Sequence, residues 1–285
     1  MPRVVFRLFP LLLLFLSAGP ALHAQFIGRQ TGCYSPSIVA NPNRPTVASP
    51  ADITQYGVLE LEYGWDRVWP GGGAREYDFG GLLKFGLLCD VELRWTSTDF
   101  LSQSDAAGTQ SGFGDNWLGP QIRVYRQTAH VPSLAVSYAV KIPSASEATG
   151  LGSGRVDHAI TFLASKDFKG IHFDFNTTWF LIGGAHGFDR NELLTLSFSH
   201  PLYAALGLTG EFYGNTRLNP TTPGFVSNLW ALTYQFSPRL VVDGGIDVGL
   251  TSAAPNKRVF AGMTYSITNL YSAVKRSHTG RQTAK

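Results

Sequence analysis

The residues able to do chemistry recur at short, even spacings. Glu60 and Glu62, Glu76 and Asp78, His172 and Asp174, and Asp243 and Asp247 stand two or four positions apart. Such groups can serve as acid and base, hold a metal, or line a charged surface. A zinc-type centre needs three or four convergent ligands, and neither His172 with Asp174 nor His186 with Asp189 supplies them. Nucleophilic catalysis needs a nucleophile within reach of an oriented base, and the chain holds no G-x-S-x-G elbow. His158 is the one histidine on an apolar strand face, which leaves a lipid-modifying enzyme as the weakest alternative. GFGD at 112–115 and GLGSG at 150–154 have phosphate-loop glycines. A phosphate cradle needs a helix N-terminus behind it, and neither run precedes a helical pattern. The expectation is no enzyme, no catalytic residue, no cofactor and no metal.

A spacing of two is the period of a β-strand, whose side chains alternate between two faces. Alternation of this kind runs through twelve segments, roughly 55–65, 76–87, 91–97, 112–126, 132–142, 154–165, 171–180, 190–199, 202–213, 225–236, 240–250 and 257–267. Leu59, Leu61, Tyr63 and Trp65 oppose Glu60 and Glu62, and Val91, Leu93 and Trp95 oppose Glu92 and Arg94. Ile171, Phe173, Phe175 and Trp179 oppose His172, Asp174 and Asn176. Several segments reach the ~9–11 residues that a tilted strand needs to cross a bilayer.

Composition points the same way. Only 15% of the 285 residues are charged while 44% are hydrophobic, and mean hydropathy is zero. Soluble domains carry about 25% charged residues, and disorder requires far fewer apolar ones. Connections alternate between tight gaps (88–90, 127–131, 166–170, 200–201, 237–239) and longer ones (66–75, 98–111, 143–153, 181–189, 214–224). Bacterial outer-membrane barrels show this asymmetry, and they place aromatics in girdles near strand ends, as Trp65, Tyr77, Trp95, Trp179, Phe212 and Phe236 stand here. The predicted fold is all-β: a transmembrane, antiparallel, up-and-down barrel of about twelve strands, apolar outside and charged inside.

Around the barrel, residues 1–24 read as a signal peptide. Arg3 and Arg7 precede an apolar run from Leu8 to Ala18, and Leu22-His23-Ala24 marks the expected cleavage site. Residues 25–54, with Pro36, Pro42, Pro45 and Pro50, form a Pro-rich periplasmic lead or a partial plug; 55–267 form the barrel; 268–285 form a basic, flexible tail. Loss of Arg3 and Arg7 and of the tail's Lys275, Arg276, Arg281 and Lys285 takes the 23 basic residues to 17, against 20 acids. The body is therefore net acidic, and nothing suggests nucleic acid as a partner. The expected partners are outer-membrane lipid, a small-molecule solute and the barrel-assembly machinery, at the bacterial outer membrane.

The polar parity set predicts a lumen lined by Glu60, Glu62, Glu76, Asp78, Lys84, Glu92, Arg94, Asp115, Arg123, Lys141, Arg155, Asp157, Asp174, Asp243, Asp247 and Arg258. Its acidic excess gives either a pore with weak cation preference or cross-lumen ion pairs that fill a narrow barrel. The two cysteines, Cys33 in the lead and Cys89 in a tight turn, fall on the periplasmic side, where disulfides persist, and are expected to pair.

The succession GFGDNWLGPQIRVYR at 112–126, then PSLAVSYAVKIPSASEATGLGSGRVDHAITFLASKDF at 132–168, with GLLCDVELRW at 86–95, resembles an outer-membrane transporter family called "putative meta-pathway of phenol degradation". The resemblance implies an outer-membrane barrel passing small compounds, aromatic catabolic substrates among them, and transfers no functional residue. Outer-membrane barrels commonly end on an aromatic C-terminal strand, whereas this chain continues 18 residues past Ile267. The expected function is diffusion of small solutes through a polar lumen; the alternative is a non-conducting structural barrel.

Overall fold

A computed structural model of the chain describes residue 35, residues 37–219 and residues 221–271. The expected signal peptide, residues 25–34 with Cys33, and the tail from 272 lie outside the described residues. The barrel opens with β1 (Val58–Gly71), β2 (Ala74–Leu88), β3 (Val91–Asp105), β4 (Gly108–Gly112) and β5 (Asn116–Tyr125). It continues with β6 (Ser133–Ile142), β7 (His158–Phe168), β8 (Ile171–Gly184) and β9 (Gly187–Tyr203). It ends with β10 (Leu206–Asn215), β11 (Phe225–Ser237), β12 (Leu240–Gly249) and β13 (Lys257–Asn269).

Each strand pairs antiparallel with its neighbour, and β1 meets β13 from Val58 opposite Asn269 to Trp69 opposite Lys257. That seam closes the ring of strands, and among the described residues only the short β4, which pairs with β3 alone, keeps an unpaired edge. β5 pairs with the first half of β3 and β4 with its far end, so thirteen strands occupy twelve positions around the barrel. The break between β4 and β5 lies at the GFGD run. Gly114 donates its N–H to the Thr98 carbonyl at 2.9 Å, and a Cβ there would lie 2.6 Å from the Thr98 side chain. The expected single strand 112–126 is thus two pieces, and the glycine serves a close approach.

The inside-out polarity follows the alternation. Trp95 is 49% and Trp179 43% exposed on the outer face, whereas Glu60 and Lys84 are fully buried inside the ring. Outer-face aromatics pack edge-on, as Phe162 and Trp179 do with centroids 5.2 Å apart. Short turns gather at one mouth, at 89–90, 169–170, 204–205 and 238–239. At one of them Lys169 and Gly170 both take positive φ, 51° and 80°, the twist that two-residue hairpins prefer.

Three of the expected long connections are shorter than predicted. Segments 66–75, 98–111 and 181–189 are mostly strand, turning only at 72–73, 106–107 and 185–186. Above the apolar band both faces of a hairpin meet polar surroundings, so the sequence loses its alternation while the ladder continues. The turn expected at 200–201 falls at 204–205 because β9 runs on to Tyr203. True loops at the far mouth are 143–157, 216–224 and 250–256.

Candidate functional site

The lead does not stay outside the barrel. Ala40 donates to the carbonyl of Pro238, in a short turn at the near mouth (2.8 Å). The chain then passes into the lumen, turns at Arg44–Pro45 and returns to Thr54, beside the start of β1. With prolines at 42, 45 and 50 it can join no ladder, so its amide groups need other acceptors. The wall provides them. Glu60 accepts from Asn41 N–H at 2.9 Å, and Glu62 from Asn43 and Arg44 N–H at 2.8 and 2.9 Å. Across the lumen Glu211 accepts from Val47 and Ala48 N–H at 2.7 and 2.6 Å. Asn176 both accepts from Ser49 N–H (2.7 Å) and donates to its carbonyl (2.9 Å). Ser165 Oγ takes Ala51 N–H at 2.7 Å and Glu92 takes Thr54 N–H at 2.7 Å, while Gln121 donates to the Pro50 carbonyl at 2.9 Å. Ala51 also packs with Ala135 and Leu163, which face inward.

The electrostatics of this layer centre on Lys84. Its ammonium lies 2.7 Å from Glu60 Oε1 and 2.5 Å from Glu62 Oε1, all three side chains being essentially buried. It also donates to the Asn41 carbonyl and, at 2.9 Å, to Asn43 Oδ1. One ammonium cannot balance two carboxylates, and the amides of the loop supply the remaining positive ends of dipoles. Arg44 extends furthest: its Nε and Nη2 bind Asp243 at 3.2 and 3.1 Å. At the mouth Arg123 bridges Asp52 of the loop (2.7 Å) and Asp90 (2.8 Å). Arg94 donates to Ser49 Oγ at 3.2 Å and to Gln121. Asp174 takes the Ser165 hydroxyl at 2.5 Å and sits 3.1 Å from His172 Nε2.

The other expected lumen residues lie nearer the far mouth. Arg258 joins Asp66 (3.2 Å) and Asp247 (3.5 Å), and Asp247 accepts from Tyr213 Oη. Lys141 lies 2.5 Å from Asp157 and 3.5 Å from Asp115, and it donates to Ser153 Oγ at 2.9 Å. Asp115 and Asp157 are loop residues adjoining strands, and this ion-pair group ties the 143–157 loop against the wall. Asp78 stands opposite Asp66 on β2 and β1, and both border a polar cavity of about 280 Å³ between the loop and the wall. Glu76 lies beside the hairpin tips, where it accepts from Gln103 Nε2 at 2.9 Å. Arg155 corrects the expectation: it is an exposed residue of the 143–157 loop, donating to the Gly184 carbonyl at 3.1 Å. Its apparent strand parity came from a run that begins only at His158.

Sequence reasoning missed the loop's own contribution, Arg44 above all, together with Gln121, Ser165 and the glycines beneath Arg44. The proline spacing from 42 to 50 was the available signal, since it forbids a ladder and leaves amides for the wall to satisfy.

A closed antiparallel ring with an apolar outer face and a charged interior defines an outer-membrane-type β-barrel. Residues 43–267 match the family described as "Putative MetA-pathway of phenol degradation", and the chain belongs to that family. Among solved structures, an outer membrane channel from Pseudomonas putida F1 aligns with 12% identity over 78% of this chain and 100% of its own, with a TM-score of 0.61. The NanC porin aligns with 10% identity over 73% of this chain and 100% of its own, with a TM-score of 0.51. At these identities the likeness is one of fold. No curated protein matches the chain.

Proposed function

We propose that this chain is a channel of the bacterial outer membrane that passes small solutes down their gradients, and that the segment Asn41–Thr54 is its plug. The observation that supports this most is the mismatch between wall and filling. The lumen offers many charged side chains, and a separate loop with no ladder of its own satisfies them. A barrel built only as a scaffold has no need of a loop that enters and leaves by one mouth. The family's link to phenol degradation favours small aromatic catabolic substrates among the solutes. Lipid around the outer face and the barrel-assembly machinery are the partners this reading requires, and it assigns no catalytic step.

Planar-bilayer recording tests it. A variant lacking residues 41–53, bridged by a short Gly-Ser linker, should show steady conductance where the intact protein is mostly closed. Liposome swelling should then report entry of small phenols and polyols. A folded deletion variant that neither conducts nor admits solute establishes the non-conducting structural barrel instead.

A further inference from the structure

Arg44 lies on a part of the wall that has been cut away to receive it. Gly262 on β13 pairs directly with Gly64 on β1, and with Asp243 on β12. A Cβ built on Gly64 would stand 2.4 Å from the Arg44 Cζ and Nη1, and one on Gly262 would stand 2.3 Å from its Nε. Only a wall without side chains at both positions lets the guanidinium lie against the backbone. Glycine inside a strand weakens it and commonly marks such a close approach. Asp243 then meets the guanidinium side-on through two N–H donors, at 3.2 and 3.1 Å. That two-point geometry fits a planar cation and does not fit an ammonium. Beside the guanidinium lies the cavity of about 280 Å³, bordered by Glu62, Asp66 and Asp78, with room for the body of a small molecule carrying such a group.

We propose that the Gly64–Gly262 floor and Asp243 form a binding site for small guanidinium-type cations, of which Arg44 is the tethered occupant. Access from solution rests on the plugged-channel reading, because the loop must yield the site. Tethering gives Arg44 an effective concentration of about millimolar or more, so a free cation competes poorly while the loop is seated. Removing the Arg44 head group leaves the floor, the carboxylate and the cavity in place for a free ligand.

The test uses the full mature chain in detergent, with guanidinium chloride as the probe at millimolar concentration and sodium chloride holding ionic strength constant. R44A should bind guanidinium saturably by titration calorimetry, at least about tenfold more tightly than the unsubstituted protein, a difference of ~1.4 kcal/mol. Tetramethylammonium, which is neither planar nor a hydrogen-bond donor, should not bind. Adding G64A to R44A should lower guanidinium affinity about tenfold by filling the floor. R44Q, neutral and nearly as long, provides a second background, and heat-modifiable gel mobility reports folding. Should neither variant fold unaided, refolding in millimolar guanidinium must restore the yield; failure to do so counts against the site. Equal binding by R44A, R44Q and the unsubstituted chain, or indifference to G64A, overturns the proposal. A barrel that binds guanidinium yet never conducts overturns the channel and leaves the site; one that conducts without binding does the reverse.

Discussion

Lys84 is the residue on which the near half of the lumen depends. Its ammonium faces Glu60 and Glu62 with no solvent to share the charge. Removing one partner of a buried ion pair typically costs about 3–5 kcal/mol, because the remaining charge is left uncompensated. K84M is therefore expected to lower unfolding stability in urea by about that amount, and the triple variant K84M/E60Q/E62Q to recover most of it. Glu211 has a different part. Its hydrogen bonds go to the loop, through the Val47 and Ala48 amides. E211A should leave the wall intact and raise the open fraction in bilayer recordings, since two charge-assisted hydrogen bonds of about 1.5–3 kcal/mol each vanish from the closed state alone. An unchanged open fraction would show that the loop does not depend on this anchor.

The strands divide into a lipid-facing band and hairpin extensions beyond it, and each makes its own prediction. Phe162 lies mid-strand on β7, 44% exposed, with Trp179 of β8 beside it. F162R should cost ~2–4 kcal/mol in a bilayer refolding assay, whereas the same change in a soluble shell would cost little. An epitope inserted at Gly72, in the β1–β2 turn, should be reached by antibody on intact cells, while one at Gly170 should be reached only after the outer membrane is breached. Reversed labelling would invert the barrel. The strand parity was legible because lipid on one side and charge on the other impose a strict period of two, as in β1, β3 and β8. Beyond the band that contrast ends, and so did the reading: 66–75 and 98–111 carry no alternation although both are largely ladder. The glycine floor was not legible either. Gly64 and Gly262 are far apart in sequence and become one surface only through the β1–β13 register, which no local pattern encodes.

At the scale of the whole molecule, the lead was readable as something other than a strand, and as a lead or partial plug, but its path was not, because that path is set by wall carboxylates that lie up to 199 residues away. The proposed Cys33–Cys89 disulfide belongs to the same question. Among the described residues no cysteine is free, and Cys89 occupies the β2–β3 turn at the mouth the loop uses, while Cys33 lies outside the described residues. Maleimide labelling of the exported protein should find no reactive thiol before reduction and two afterwards; labelling without reductant would rule the tether out.

That shared mouth carries a topological consequence. Ala40 is fastened at the β11–β12 turn and Thr54 leads straight into β1, so the segment between them is a bight, with no thread drawn through the bore. A bight can be paid out and taken in while both of its ends stay moored, and no free end ever has to pass along the barrel. Unplugging and replugging therefore leave the chain's linkage with the ring unchanged, and a disulfide mooring at the mouth is compatible with a stopper that comes and goes.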